Sequence, residues 1–184
     1  MIIIKALSLD CSTTCFGWSI FEEDNLIVYG KIRIDDKCID EHNYNERLKN
    51  LITQLEKVVK KYKPQKIYME EVPNMNKGGV ITAIKLGAVH GAVLVLSLLY
   101  DLTIEFIDVG TWRSDIGLFT GIKQDRQRDL MKIHSIEKVN ELFQLDLKCE
   151  YTKSGKYNEK KSDDDIADSI LIYCSTRGKY RAKG

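Results

Sequence analysis

The spacing of apolar residues changes along this chain in an order that outlines its elements. From Ile2 to Leu9 they run almost without a break and end on one acid, Asp10; a small polar turn (Ser12, Thr13, Thr14) follows, then apolar and small residues from Phe16 to Ile20. This predicts strand, tight turn, strand. Residues 26–34 (LIVYGKIRI) alternate and are rich in β-branched side chains, which adds a third antiparallel strand to the meander. Between Asp40 and Lys63 the positions Leu48, Leu51, Ile52, Leu55, Val58 and Val59 recur at three- and four-residue steps, marking an amphipathic helix that Pro64 ends. A short strand, KIYMEEV over 66–72, then closes on two acids, Glu70 and Glu71.

After Pro73 a polar loop with Asn74, Asn76, Lys77, Gly78 and Gly79 leads into an apolar helix from about Val80 to Tyr100. A fifth strand is expected over 102–109 and lies parallel to the fourth, because a helical crossover joins them. A connector over 110–121 contains Trp112 and Arg113. A further helix is expected over 123–143, and a helix through Ile166, Ile170 and Cys174 closes the fold. A meander, a helix and a returning strand resemble the opening of the RNase H-like fold, in which the fourth strand lies parallel beside the first. The fold class expected is therefore α/β: a mixed five-stranded sheet, three strands antiparallel and then two parallel, flanked by helices.

With 184 residues the chain suits one domain, spanning 1–184, with a mobile basic loop over about 148–161 and a basic tail over 177–184. Basic and acidic side chains number 28 and 27, so the totals do not decide about nucleic acid and the distribution must. Lysines interleaved with Tyr151 and Tyr157 in the loop suit a phosphate backbone, and Lys123, Arg126, Arg128 and Lys132 form a local basic cluster. Five scattered cysteines (Cys11, Cys15, Cys38, Cys149, Cys174) argue against a disulfide framework and are expected as thiols in a cytoplasmic protein. Residues 80–100 are apolar enough to suggest a membrane span, but Lys85, His90 and the small residues Gly87, Ala88, Gly91 and Ala92 favour a buried or interface helix.

Asp10 is costly to desolvate unless partners receive it. Strand pairing would bring Glu70 or Glu71 beside it, and alternation lets only one of the two face it. In the run DDDIADS (163–169), Asp163 and Asp164 suit the first turn of a helix, where acids offset the macrodipole, and Ser162 stands at capping-box spacing from Asp165. Asp168 needs another reason. It falls on the face of Asp165, three residues before it, and two carboxylates there demand a cation.

The motifs LSLDCSTTCFGWS, IYMEEV, AIKLGAVHGAV and DDDIADSILIY resemble, in order and over nearly the whole chain, those of the RuvC family of Holliday junction resolvases, closest to its bacteriophage members. The resemblance implies a catalytic and metal-binding set of Asp10, Glu70, Asp165 and Asp168, with Asp164 the alternative third ligand. It also implies two Mg²⁺ or Mn²⁺ ions, since hard ions take oxygen ligands and a pair about 4 Å apart serves in-line phosphodiester hydrolysis. Lys123 matches a basic catalytic residue near the scissile phosphate, Arg113 a DNA-contacting position; Arg126 and Lys77 join them as expected DNA contacts. The implied function is a structure-selective endonuclease that resolves Holliday junctions and other branched DNA by paired nicks, leaving 5′-phosphate and 3′-hydroxyl ends. It would act as a homodimer through the 80–100 helix, in the bacterial host cytoplasm if phage-encoded. Bacterial members carry an aromatic wedge where this chain has Pro73, Asn74 and Met75. Two alternatives remain: a non-cleaving branched-DNA binding protein of the same fold, and an actin-like ATPase, for which the second glycine loop and second domain are missing.

Overall fold

The computed structural model describes residues 4–34, 44–72, 79–119 and 127–182. Strands β1 (Lys5–Cys11), β2 (Cys15–Glu22) and β3 (Asn25–Arg33) form the expected meander, α1 (Tyr44–Tyr62) crosses over, and β4 (Lys66–Glu70) returns. Helix α2 (Val80–Leu99), β5 (Thr103–Ile107), α3 (Val109–Asp115), α4 (Arg128–Phe143) and α5 (Asp164–Ser175) complete the order, with a 3₁₀ turn over Gly178–Tyr180. The sheet order is β3-β2-β1-β4-β5. Strands β1, β2 and β3 pair antiparallel, and β4 lies parallel to both β1 and β5. This is the RNase H-like mixed sheet that the hydrophobic pattern predicts.

Alternation sorts each strand between two cores. Leu7 and Leu9 of β1, Phe16 and Ile20 of β2, and Ile67 and Met69 of β4 face α1 and α2 with Leu51, Leu55, Val89 and Val93. Ala6, Phe21 and Tyr68 face the opposite side, where Trp112, Ile136, Val139 and α5 pack. Every residue of α5 is buried, its three acids included, as suits a helix packed between a sheet and other helices. Tyr173 of α5 stacks on Phe21 at 3.9 Å between ring centroids.

Four elements differ from expectation. A short helix, α3, stands in the connector after β5; its seven residues are too few for a readable period, and Asp108 caps it by accepting from the Thr111 N–H at 2.8 Å. Helix α4 begins at Arg128, not 123, after an extended Gln127. Strand β4 ends at Glu70, and Glu71 lies beyond it, exposed. The 148–161 segment is a folded hairpin: Tyr151 bridges Tyr157, and Gly155 takes a positive φ in the turn that returns the Lys156 carbonyl to the Thr152 N–H. Ser162 does not cap α5; its hydroxyl accepts from the Glu150 N–H at 2.9 Å and closes the base of this hairpin.

Among the described residues of the basic tail, Lys179 pairs with Asp24, Arg181 with Asp115, and Arg177 with both Asp24 and the Tyr173 hydroxyl. Cys11, Cys15, Cys149 and Cys174 are unpaired thiols.

Candidate active site

Register and pleat decide which acids meet. Leu9 pairs with Met69, so Asp10 and Glu70 come next on neighbouring parallel strands. Both share the parity of the residues that face α5, whereas Glu71 lies past the strand end. Asp10 also pairs across the sheet with Gly17, and Gly17 with Lys31. A Cβ on Gly17 would stand 1.7 Å from the Asp165 carbonyl oxygen and 2.2 Å from its carbon. The first turn of α5 therefore rests on bare backbone of β2. That close approach carries Asp165 and Asp168 down to the ends of β1 and β4.

Asp10, Glu70, Asp165 and Asp168 line one cleft of about 1150 Å³ together with Arg33, Arg113, Arg128, Lys132 and Lys160. Burial, followed by the charges of Asp168, Glu70 and Asp165, pushes the Asp10 carboxyl well above the usual carboxylate range; Lys132 offsets this only in part. Burial also raises Glu70, against the opposing effects of Arg113 and of a 3.0 Å hydrogen bond from the Trp112 indole N–H. Asp168 is pushed up to about 7, mainly by burial and further by Glu70 and Asp164, with Arg113 and Ser135 opposing. Its Oδ1 is buried and has no hydrogen-bond partner.

The four acids converge, yet they do not close to metal-bridging distance: among the described residues no three acidic, histidine or cysteine side chains stand close enough to hold an ion together. Protein cations occupy two of them. Arg33 donates to Asp165 at 3.1 Å, and Arg113 lies 3.8 Å from Asp168 while its guanidinium sits 4.9 Å from the Trp112 ring centre. Like charges buried together repel, and these arginines offset part of that repulsion. The donor set still fits a hard divalent ion, being all carboxylate with one orphaned oxygen, the buried Oδ1 of Asp168.

Asp164 is taken up elsewhere. It is buried at 1% exposure, accepts from the Tyr157 hydroxyl at 2.8 Å, and pairs with Lys132. Asp163 pairs with Lys31 at 2.7 Å and accepts from the Lys148 N–H, so both acids have tertiary partners beyond the helix dipole. Lys123, Arg126, Lys77 and the 73–75 stretch lie outside the described residues. Arg33, Trp112, Lys132 and Ser135 were not singled out for these contacts from the sequence. Arg33 did leave a trace there, since Lys31 and Arg33 repeat at period two within the otherwise apolar third strand.

An antiparallel meander extended by parallel strands, with acids at the ends of β1 and β4 and a buried acidic helix across them, defines an RNase H-like domain. Within that class the sequence is more specific. A model of RuvC, crossover junction endodeoxyribonuclease, matches residues 6–111, more than half of the chain, and the protein belongs to that family. The matched stretch includes Asp10 and Glu70; the α5 acids lie after it. Thermus thermophilus RuvC in complex with a Holliday junction substrate is similar in structure, with a TM-score of 0.61 at 14% identity over 95% of this chain and 98% of that one. The yeast mitochondrial Holliday junction resolvase Ydc2 has a TM-score of 0.57 at 15% identity, covering 97% of this chain and 79% of that one. At such identities the likeness is one of fold. No curated protein matches the sequence.

Proposed function

We propose that the protein is a divalent-metal-dependent endonuclease that resolves Holliday junctions and other branched DNA. The observation that carries this reading is the convergence of Asp10, Glu70, Asp165 and Asp168, from two strands and a helix, in one cleft rimmed by arginine and lysine. Mg²⁺ or Mn²⁺, two ions per site, would supply an activated water and neutralise the leaving oxygen, which gives 5′-phosphate and 3′-hydroxyl ends. The chain's own part is to hold the carboxylates in line. Trp112 fixes Glu70, the Gly17 contact fixes Asp165, and Arg113 stands beside Asp168 and offsets its charge. Lys123 and Arg126, with Lys77, remain proposed DNA contacts. The exposed Lys153 and Lys156 of the hairpin suit a DNA arm.

A synthetic four-way junction with Mg²⁺ or Mn²⁺ tests the reading. The protein is expected to cut it with paired nicks, and Asp10→Asn to slow cutting by at least about a hundredfold, near 3 kcal/mol of barrier, while still binding the junction. Cutting unchanged in the variant overturns the role of Asp10. Tight binding by the wild type with no cut under either ion would identify the non-cleaving alternative.

A homodimer through α2 belongs to the same proposal. Val89, Val93, Leu96 and Ser97 pack inward, whereas Ile81, Ile84, Val95, Leu98 and Leu99 are exposed, Leu98 at 81%. This helix is long and apolar enough to cross a membrane, but its inward face packs on the sheet and on α1. A Cβ at Gly87 or Gly91 would meet nothing within 4 Å, so nothing described in the monomer requires these glycines, and a second copy of the helix can approach there. Sedimentation equilibrium is expected to give a dimer for the wild type and a monomer for Leu98→Glu, each with native circular dichroism. A monomeric wild type at micromolar concentration overturns the dimer.

A further inference from the structure

The Arg33 guanidinium is an unusual occupant of a carboxylate cluster. It reaches from the end of β3 to Asp165 at 3.1 Å, with the Cys15 side chain beside it and, among the described residues, a marginal hydrogen bond to the Glu159 carbonyl at 3.5 Å. Its Nε is buried with no hydrogen-bond partner, as is the Nε of Arg113 in the same cleft. An arginine kept only to neutralise an acid would use its planar fork on that acid, because paired parallel bonds are the strongest arrangement it has. Here Asp165 takes a single bond from one Nη, and the side chain stays 31% exposed at the cleft wall.

We propose that Arg33 is a phosphate-contacting residue that Asp165 holds in reserve. Resting on the nuclease reading above, the proposal is an exchange of partners: a divalent ion takes the Asp165 carboxylate, Arg33 is released, and its guanidinium turns to a DNA phosphate entering the cleft. Two cations on one partly buried carboxylate repel each other, so ion and arginine compete for Asp165. A phosphate offers two oxygens to the planar guanidinium, the bidentate partner that Asp165 does not provide. The exchange keeps the local charge nearly balanced before and after the substrate arrives. It also makes the strength of one DNA contact depend on metal occupancy, which Arg128, paired with Glu159 on the rim, does not require.

Full-length wild type, Arg33→Gln and Arg33→Lys test this with two binding measurements. Mn²⁺ titration followed by electron paramagnetic resonance, without DNA, is expected to show up to about fivefold tighter binding in Arg33→Gln, because the competitor for Asp165 is gone. Fluorescence anisotropy of a four-way junction with Ca²⁺, which takes the same oxygen ligands, is expected to show about tenfold weaker DNA binding in Arg33→Gln and a salt dependence flatter by about one phosphate contact. Without a divalent ion, wild type and Arg33→Gln should bind the junction equally. Should Arg33→Gln not fold, Arg33→Lys, which keeps the charge and loses the fork, decides by the same two directions at smaller size. A DNA defect of equal size with and without Ca²⁺, or unchanged Mn²⁺ affinity, overturns the exchange. A wild type that binds both Mn²⁺ and junction, matched in both by the variants, sinks Arg33 alone; a wild type that binds neither sinks the nuclease reading itself.

Discussion

Replacing Gly17 by alanine is expected to abolish junction cleavage and to destabilise the fold, although Gly17 has no side chain and touches no substrate. The added Cβ would sit 1.7 Å from the Asp165 carbonyl oxygen, 2.2 Å from its carbon and 2.9 Å from the Ile166 nitrogen. All three are backbone atoms of the first turn of α5, so no rotamer change relieves the clash. Either α5 lifts from the sheet or β2 bows away, and a shift of about 1 Å at a reacting centre costs on the order of a hundredfold in rate. Overpacking of this kind costs about 3 kcal/mol or more when backbone must move. Urea denaturation should show the midpoint falling, and the junction assay should show residual cutting below about 1% of wild type. Gly178→Ala, where a Cβ meets nothing within 4 Å, is the control and should match the wild type. An active, stable Gly17→Ala protein would mean that α5 does not rest on β2 at this point.

Asp168→Asn is expected to do the opposite to stability while also ending cleavage. Burial and Glu70 raise Asp168 to about 7, and the group is near 4 in an unfolded chain. Below pH 4 the folded and unfolded states bind its proton equally. Between pH 4 and 7 the folded state keeps a proton that the unfolded state has lost, and above 7 the folded state must carry the buried charge. Stability of the metal-free protein therefore falls as pH rises through this window. The full shift of about 3 units corresponds to about 4 kcal/mol. Repulsion is shared with Asp10 and Glu70, so about half of that is expected on removing one member, or ~6 °C in melting temperature. Scanning calorimetry in EDTA should find the two proteins alike at pH 4 and the variant more stable at pH 8. Mg²⁺ or Mn²⁺ should raise the melting temperature of the wild type and leave the variant nearly unchanged. A variant no more stable than wild type at pH 8 would show that Asp168 carries no uncompensated charge.

Much of the site was legible because it depends on local periodicities. Asp10 ends an apolar run, and Asp165 and Asp168 stand three residues apart on a helix, so neither placement needed a distant partner. The choice between Glu70 and Glu71 was not local. It follows from the pairing of Leu9 with Met69, which a five-residue strand does not announce by itself. Asp163 and Asp164 show the limit of local rules: both sit where the helix dipole welcomes acids, yet their actual partners are Lys31, Lys132 and Tyr157, on a strand, another helix and a hairpin. The polar composition of residues 148–161 suggested a loop, and that composition conceals a hairpin whose base is closed by Ser162 and the Asp163 side chain.

By itself, the sequence determined the order of the five strands and of the longer helices and the family motifs, because each of these rests on short-range period and residue type; the set of four acids is what the family resemblance implies. Tertiary structure alone decided that Gly17 is the seat of α5, that Trp112 and Arg113 hold Glu70 and Asp168, and that Arg33 lies on Asp165. These are contacts between elements far apart in the chain, 132 residues in the case of Arg33 and Asp165. No local pattern encodes them, since they exist only once α5 and α3 are packed against the sheet.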